Sequence, residues 1–159
     1  RDEVCTAAND NAPGQVVISG STKAVERAVD IGKEKGAKHS ILLPVSAPFH
    51  CSLMAPAADV VSEILAQVTI QLPMVPLVAN VTAMPEQVPD KIRRLLVEQI
   101  TSRVRWRESI NKMHALGVET FVEVGAGKVL TGMVRRIDKN LTAFSIQSAD
   151  DIDAFARSI

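Results

Sequence analysis

The sequence predicts an α/β fold, and three observations support this prediction. Short runs of apolar and β-branched residues alternate along the chain with longer segments whose apolar residues recur at helical spacing. The chain has 159 residues, of which 47% are hydrophobic, so it is long enough to bury the core of one domain. The apolar run "HSILLPV" at 39–45 is typical of a strand that is buried on both faces of a parallel sheet.

The first part of the chain predicts a hairpin, a helix and a strand. Residues 4–9 and 15–19 are β-type runs, and the segment "DNAPG" between them is rich in turn-forming residues. The next segment, "STKAVERAVDIGKEKG", has apolar residues at helical spacing, with Ser21 as the expected N-cap and Gly36 as the expected stop. The predicted strand at 39–45 follows this helix.

The rest of the chain continues the alternation of helices and strands. The pattern is helical over 54–67, where one apolar stripe contains Leu53, Ala57, Val60, Val61, Ile64, Leu65 and Val68. The segment "MVPLVAN" predicts a strand, and "DKIRRLLVEQI" predicts an amphipathic helix with Asp90 as its N-cap. "RESINKMHALG" predicts a helix that ends at Gly117, and "ETFVEVG", "KVLTGMVRRIDK" and "LTAFSI" predict a strand, a helix and a strand. This order favours a largely parallel sheet.

Composition and charge exclude several classes of protein. The 18 basic and 18 acidic residues balance, and no basic cluster is present, which argues against nucleic acid as the main partner. No apolar run approaches the roughly 20 residues of a membrane helix, and nothing resembles a signal peptide. Two cysteines indicate neither a disulfide framework nor a zinc site, so we expect a cytoplasmic protein without a metal or cofactor. The chain begins with Arg1 rather than Met, and we expect it to begin inside a longer protein.

The stretch "LPVSAPFHCSLM" at 43–54 contains the strongest candidate for chemistry, His50. It follows a predicted strand and a proline, at the kind of position where open α/β sheets bind ligands, and the ordinary pKa of histidine suits a general base. A Cys51–His50 catalytic pair is unfavourable, because neighbours in sequence rarely direct their side chains to one point. We interpret His39 and His114 as surface residues. No "G-x-S-x-G" nucleophile motif occurs in the chain.

The segment "GAGK" at 125–128 lies between a predicted strand and a predicted helix, so it must be weighed as a phosphate-binding loop. A Walker motif would need Gly at Val122 and Ser or Thr at Val129, and a dinucleotide fingerprint would need a small residue at Leu130. We therefore predict a tight turn before a helix, at whose N-terminus backbone amides could still bind an anion.

Five blocks carry a resemblance to a known family: "NAPGQVVISG", "LPVSAPFHCSLMAPAA", "VPLVANV", "RVRW" and "FVEVGAGKVLTGMVRRI". Together, in order and over residues 9–146, they resemble the malonyl-CoA:acyl-carrier-protein transacylases of fatty acid and polyketide synthesis. The resemblance implies an α/β-hydrolase-like core with a small ferredoxin-like subdomain. It further implies that residues 1–45 form the second half of that subdomain, and that residues 46–159 form the C-terminal part of the core.

The resemblance also implies a mechanism and its residues. A serine in a "GHSxGE" segment becomes acylated by malonyl-CoA and passes the malonyl group to the phosphopantetheine thiol of acyl carrier protein. His50 corresponds to the general base, the backbone carbonyl of Gln99 to the group that orients it, and Phe49 to a residue of the acyl pocket. Cys51 and Ser52 are then packing or capping residues.

In the family, the nucleophilic serine, the oxyanion loop and the arginine that binds the malonyl carboxylate precede the matched region, and this chain contains none of them. We therefore expect the chain alone to be inactive and to need the remaining N-terminal half of the enzyme as a partner. The alternative from a different class is a non-catalytic chain that binds acyl carrier protein or completes a two-chain assembly.

Overall fold

The computed structural model describes residues 3–158. Arg1, Asp2 and Ile159, at the outer ends of the two predicted domains, lie outside the described residues. Strands and helices alternate over much of the chain, and a short 3-10 helix, Ser52–Met54, precedes the second α-helix. The order is β1 (Cys5–Ala12), β2 (Gln15–Gly20), α1 (Thr22–Glu34), α2 (Ala55–Gln67), β3 (Leu77–Ala79), β4 (Met84–Glu86), α3 (Pro89–Thr101), α4 (Trp106–Ala115), β5 (Thr120–Val124), α5 (Val129–Ile137), β6 (Thr142–Ile146) and α6 (Ala149–Ala156).

The strands of the described region form three two-stranded sheets. The pairs β1–β2 and β3–β4 are antiparallel, whereas β5 and β6 are parallel and joined by the crossover helix α5. The predicted α/β class is confirmed by this parallel pair with its helices, but the described residues do not form the largely parallel sheet that was predicted, since two of their three strand pairs are antiparallel. The main apolar core lies beside it and consists of Ile110, Val134, Leu141 and Ala143, with Trp106, Met113, Phe121 and Ile137 partly buried against them.

The predicted N-terminal hairpin and helix are confirmed. Gly14 has φ 74°, a left-handed conformation that glycine adopts without steric cost, and it allows the tight turn between β1 and β2. Ser21 occupies the N-cap position of α1 as predicted, although its side chain makes no capping hydrogen bond. Gly36, at φ 89°, follows the end of α1.

Backbone pairing connects the hairpin to the segment that follows α3. Asp10 N donates to Val104 O at 2.9 Å, and Val104 N donates to Ala8 O at 2.8 Å. The guanidinium of Arg107 in α4 adds two hydrogen bonds from its Nε to the Asp10 carboxylate, at 3.0 and 3.2 Å, and one from Nη2 at 2.7 Å. The hairpin is therefore fixed to the rest of the chain at the point where α3 ends.

Two of the predicted strands differ from the structure. The prediction of a buried strand at 39–45 is wrong: the segment pairs with none of the described strands, and Ile41 and Leu42 are 79% and 68% exposed. A run of apolar residues becomes a strand only where a neighbouring strand accepts its hydrogen bonds, and none lies beside it here. The strand in "MVPLVAN" is limited to β3, since Pro76 has no N–H to donate to a sheet.

Other differences concern helix ends and short elements. The prediction of Asp90 as an N-cap is wrong, because Val88 is the cap and Pro89 opens α3. The fixed φ of proline suits this first helical position. The apolar stripe of α2 is only partly covered, with Val60 and Ile64 more than half exposed. The sequence analysis missed β4 and α6, although α6 begins with a Ser148–Asp151 capping box.

None of the helices within the described residues is both long and apolar enough to cross a membrane.

Candidate active site

His50 lies in a tight turn between the exposed segment at 39–45 and the 3-10 helix. The turn carries Pro48, whose ring fixes its own φ, and His50 itself has φ 59°. A left-handed conformation is uncommon for a residue with a side chain, although histidine adopts it more often than most. Residues with such backbone angles are often found at functional sites. His50 is partly buried, so it is neither enclosed in the core nor fully exposed.

The carbonyl end of α3 meets the ring of His50. Nδ1 of His50 lies 3.0 Å from Gln99 O. Gln99 is in the last turn of α3, where backbone carbonyls have no partner within the helix and can accept a hydrogen bond from elsewhere.

This contact determines which nitrogen of His50 carries the hydrogen. A carbonyl oxygen can only accept, so Nδ1 must donate, and in the neutral ring Nε2 is then the acceptor. Within residues 3–158, Nε2 of His50 makes no hydrogen bond. The ring can therefore accept a proton at Nε2 while Nδ1 remains bound to Gln99 O.

The side chain of Gln99 also lies beside the ring. Its Nε2 donates to Ser102 O at 3.0 Å and lies 3.4 Å from His50 Nδ1. Since Nδ1 already carries a hydrogen, the amide cannot donate to it, and the bond to Ser102 O decides how the carboxamide is oriented. The structure thus brings the predicted residues His50 and Gln99 together, with the backbone of Gln99 making the direct contact.

The three neighbours of His50 differ in their surroundings. Cys51 is 1% exposed, and its thiol donates to Pro48 O at 3.1 Å rather than to His50. Ser52 is exposed at the start of the 3-10 helix, and Phe49 is 46% exposed beside His50 in sequence. His39 and His114, predicted to be surface residues, are exposed. This arrangement gives neither Cys51 nor Ser52 a hydrogen bond to a base.

Arg105 anchors the segment that follows Gln99, a role that the sequence analysis missed. Its guanidinium donates to Val81 O at 3.2 Å and Thr82 O at 3.1 Å, and it pairs with Glu108. The hydrogen bond from Arg105 holds the pKa of the Glu108 carboxyl below its ordinary value. Ion pairing of "RVRW" residues with Glu108 therefore fixes the chain that leaves α3. The i,i+3 spacing of Arg105 and Glu108 was a usable signal for their pair, whereas the hydrogen bonds to Val81 O and Thr82 O have no signal in the sequence.

The "GAGK" segment forms a turn before α5, as predicted, but its anion site is already filled. Backbone N–H groups of Leu130 and Thr131 donate to the Glu123 carboxylate at 3.1 and 2.7 Å, and the Thr131 hydroxyl donates to it at 2.7 Å. These bonds, the Thr131 backbone bond above all, lower the pKa of Glu123. The sequence left open that these amides bind an anion, but the Leu130 and Thr131 amides are occupied by the Glu123 carboxylate, which caps the helix.

A metal centre was not expected from the sequence. Among residues 3–158, no group of three or more histidine, cysteine, aspartate or glutamate side chains could hold a metal ion.

The known proteins that resemble this chain in sequence and those that resemble it in structure belong to the same family. No protein-family model matches the chain. A malonyl CoA-acyl carrier protein transacylase of Escherichia coli strain K12 is 49% identical over 144 residues, which are 91% of this chain and 47% of that protein. A crystal structure of an acyl-carrier-protein S-malonyltransferase from Bartonella henselae superposes with a TM-score of 0.94 at 52% identity, covering 98% of this chain and 49% of that chain.

One further solved structure is informative about partners. It is a malonyl-transacylase in complex with a type II polyketide acyl-carrier protein; the TM-score is 0.93 at 40% identity, over 99% of this chain and 51% of that chain. The chain spans about half the length of the relatives that it matches.

Proposed function

The chain is homologous to malonyl CoA-acyl carrier protein transacylases over about half of their length, and on that premise we propose that it is the C-terminal part of such an acyltransferase. The proposed enzyme transfers a malonyl group from malonyl-CoA to the phosphopantetheine thiol of acyl carrier protein. The solved complex of a similar transacylase with an acyl-carrier protein supports this choice of acceptor. We assign the enzyme to the cytoplasm, in agreement with its two free cysteines, Cys5 and Cys51.

The observation that carries the proposal is the contact of His50 Nδ1 with Gln99 O at 3.0 Å. It leaves Nε2 as the basic nitrogen, and we assign His50 as the general base on that ground. The nucleophile is a serine of the N-terminal half. As its oxygen attacks the thioester carbonyl, the hydroxyl proton moves to Nε2 of His50. When the intermediate collapses, the same proton passes to the leaving sulfur of CoA.

The second half of the reaction uses the same groups in turn. The thiol of the carrier gives its proton to Nε2 and attacks the acyl-serine. The serine oxygen leaves and recovers the proton from His50. Throughout both steps Nδ1 remains hydrogen-bonded to Gln99 O, so the ring is oriented by a backbone carbonyl in the role that a carboxylate has in other triads.

The exposed apolar residues support the proposed N-terminal half as a partner. Ile41, Leu42 and Leu43 are all more than half exposed, and so are Val60 and Ile64 on α2. Soluble monomers rarely expose large contiguous apolar patches. We propose that the N-terminal half of the enzyme covers these residues, and that residues 3–45 belong to the small subdomain while residues 46–158 belong to the core.

Transfer by the full-length enzyme tests the proposal. The enzyme is incubated with labelled malonyl-CoA and then with holo-acyl carrier protein, and the expected result is label first on a serine and then on the carrier. A protein that binds the carrier without acquiring label would favour the alternative of a non-catalytic assembly chain.

Replacement of Gln99 tests whether the backbone carries its role. We expect Gln99→Ala to retain most of the transfer rate in the full-length enzyme, because alanine keeps the carbonyl that accepts from His50. The lost bond from the side chain to Ser102 O is worth only about 1 kcal/mol of stability. Initial rates and thermal unfolding of the variant check this. A folded variant as inactive as His50→Ala would contradict the prediction.

Phe49 is our candidate for acyl selectivity. A bulky ring in the acyl pocket occupies the volume that an α-methyl branch needs, and one methyl group is worth about 10–200-fold discrimination. We expect the full-length enzyme to prefer malonyl-CoA over methylmalonyl-CoA within this range, and Phe49→Ser to narrow the ratio of the two kcat/KM values. Phe49→Leu, which keeps much of the bulk, is the matched control. An unchanged ratio in Phe49→Ser would show that Phe49 does not set selectivity.

A further inference from the structure

The buried thiol of Cys51 closes the turn that contains His50. Sγ donates to Pro48 O at 3.1 Å, so this hydrogen bond spans the two residues Phe49 and His50. The carbonyl of Cys51 accepts from Met54 N at 3.0 Å. Cys51 is only 1% exposed and is fixed on both sides: toward the turn by its thiol and toward the 3-10 helix by its backbone.

The conformation of His50 needs such support. At φ 59° its backbone is in the left-handed region. For any residue other than glycine, this region is higher in free energy than the right-handed region. Such a conformation persists only where the surrounding structure imposes it. Two local hydrogen bonds constrain the turn: Phe49 N donates to Ala47 O at 3.0 Å before His50, and the thiol bond encloses His50 itself.

We propose that Cys51 is a positioning residue whose thiol bond to Pro48 O keeps His50 in the left-handed conformation from which Nδ1 reaches Gln99 O. The inference rests on the proposed role of His50 as the base. If the turn relaxed toward negative φ, the Cα–Cβ direction of His50 would change and Nδ1 would leave the carbonyl at the end of α3. Displacement of a catalytic group by about 1 Å can cost up to 10²-fold in rate.

The matched pair Cys51→Ser and Cys51→Ala tests the proposal in the full-length enzyme. The two substituted side chains have similar volumes, so both lose the packing of the sulfur, and only serine keeps a donor for Pro48 O. We expect Cys51→Ala to lower kcat about tenfold while KM for malonyl-CoA stays within about twofold, and we expect Cys51→Ser to keep kcat within about threefold of the parent enzyme. Cys51→Val, which fills the site without a donor, should behave like Cys51→Ala.

A second measurement observes the ring directly. In ¹⁵N-labelled enzyme, the NMR signal of the His50 Nδ1–H should show a hydrogen-bonded proton in the parent and in Cys51→Ser, and should be lost or averaged in Cys51→Ala. A packing role alone would affect Ser and Ala variants alike and leave this signal in place, and that result would overturn the proposal. So would parent-like kcat in both Cys51→Ala and Cys51→Val. If His50→Ala itself were fully active, the proposed function would fail instead.

Discussion

Replacement of His50 by alanine is expected to slow malonyl transfer by the full-length enzyme about 10²–10⁴-fold, the loss typical of a missing general base. The variant lacks the imidazole ring, and with it the Nε2 that would accept the proton while Nδ1 is bonded to Gln99 O. Initial rates of label transfer to the carrier measure the effect. We expect the thermal unfolding midpoint to change by only a few degrees, because the ring is partly exposed.

Two further variants separate the loss of the base from the backbone cost of alanine and from the general effect of replacing a histidine. Alanine at φ 59° carries a backbone cost, so His50→Asn is the second variant: asparagine tolerates the left-handed region and provides no base. Both variants should lose activity equally. His114→Ala is the matched control: His114 lies exposed in the last turn of α4, and among the described residues its ring is hydrogen-bonded only to Val118 O. Near-parental rates in His50→Ala and His50→Asn would mean that His50 has a structural role.

The second large effect is the expected absence of covalent labelling when the chain is tested without the proposed N-terminal half that carries the nucleophile. Incubated alone with labelled malonyl-CoA, the 159-residue chain should acquire no covalent label and transfer none to the carrier. It contains no "G-x-S-x-G" segment, the Cys51 thiol is buried and bonded to Pro48 O, and Ser52 has no hydrogen bond to His50. Intact-mass spectrometry of the chain after incubation is the measurement.

Complementation shows that such inactivity reflects a missing serine rather than a misfolded chain. Co-expression with a polypeptide that carries the proposed N-terminal half should restore label, on a serine of that polypeptide and not on this chain. Circular dichroism of the chain alone provides the folding control. A stable malonyl adduct that peptide mapping places on Cys51 or Ser52 would overturn our assignment of the nucleophile.

The elements that the sequence predicted well are those specified by local patterns. Apolar spacing and glycine positions were sufficient for α1, α4 and the unit β5–α5–β6, because each carries its own start and stop signals. The segment at 39–45 shows the limit of this approach: "ILL" looks like a buried strand, yet a strand depends on a partner from elsewhere in the chain. Short elements such as β4 have too few residues to carry a pattern.

The site was predictable only in part, for a similar reason. The position of His50 after Pro48 indicated a candidate, whereas its pairing with Gln99, 49 residues away, came from family resemblance alone. The left-handed backbone of His50 has no sequence signal, since glycine is the residue that usually marks such angles. The capping of α5 by the Glu123 carboxylate could not be predicted either, because a capping group seven or eight residues upstream follows no common spacing.

The pairing of the hairpin with Val104 has a consequence for the order in which the chain folds. Residues 8–10 are synthesised before their backbone partner Val104 and before Arg107, which binds Asp10 across 97 residues. Closing so long a loop is entropically costly and makes contacts of this kind late events in folding. The segment that leaves α3 is therefore secured only after Val104 and Arg107 have been synthesised, and so is the Gln99 carbonyl that contacts His50. Until then the growing chain contains His50 but not the contact with Gln99 O on which its proposed role as a base depends.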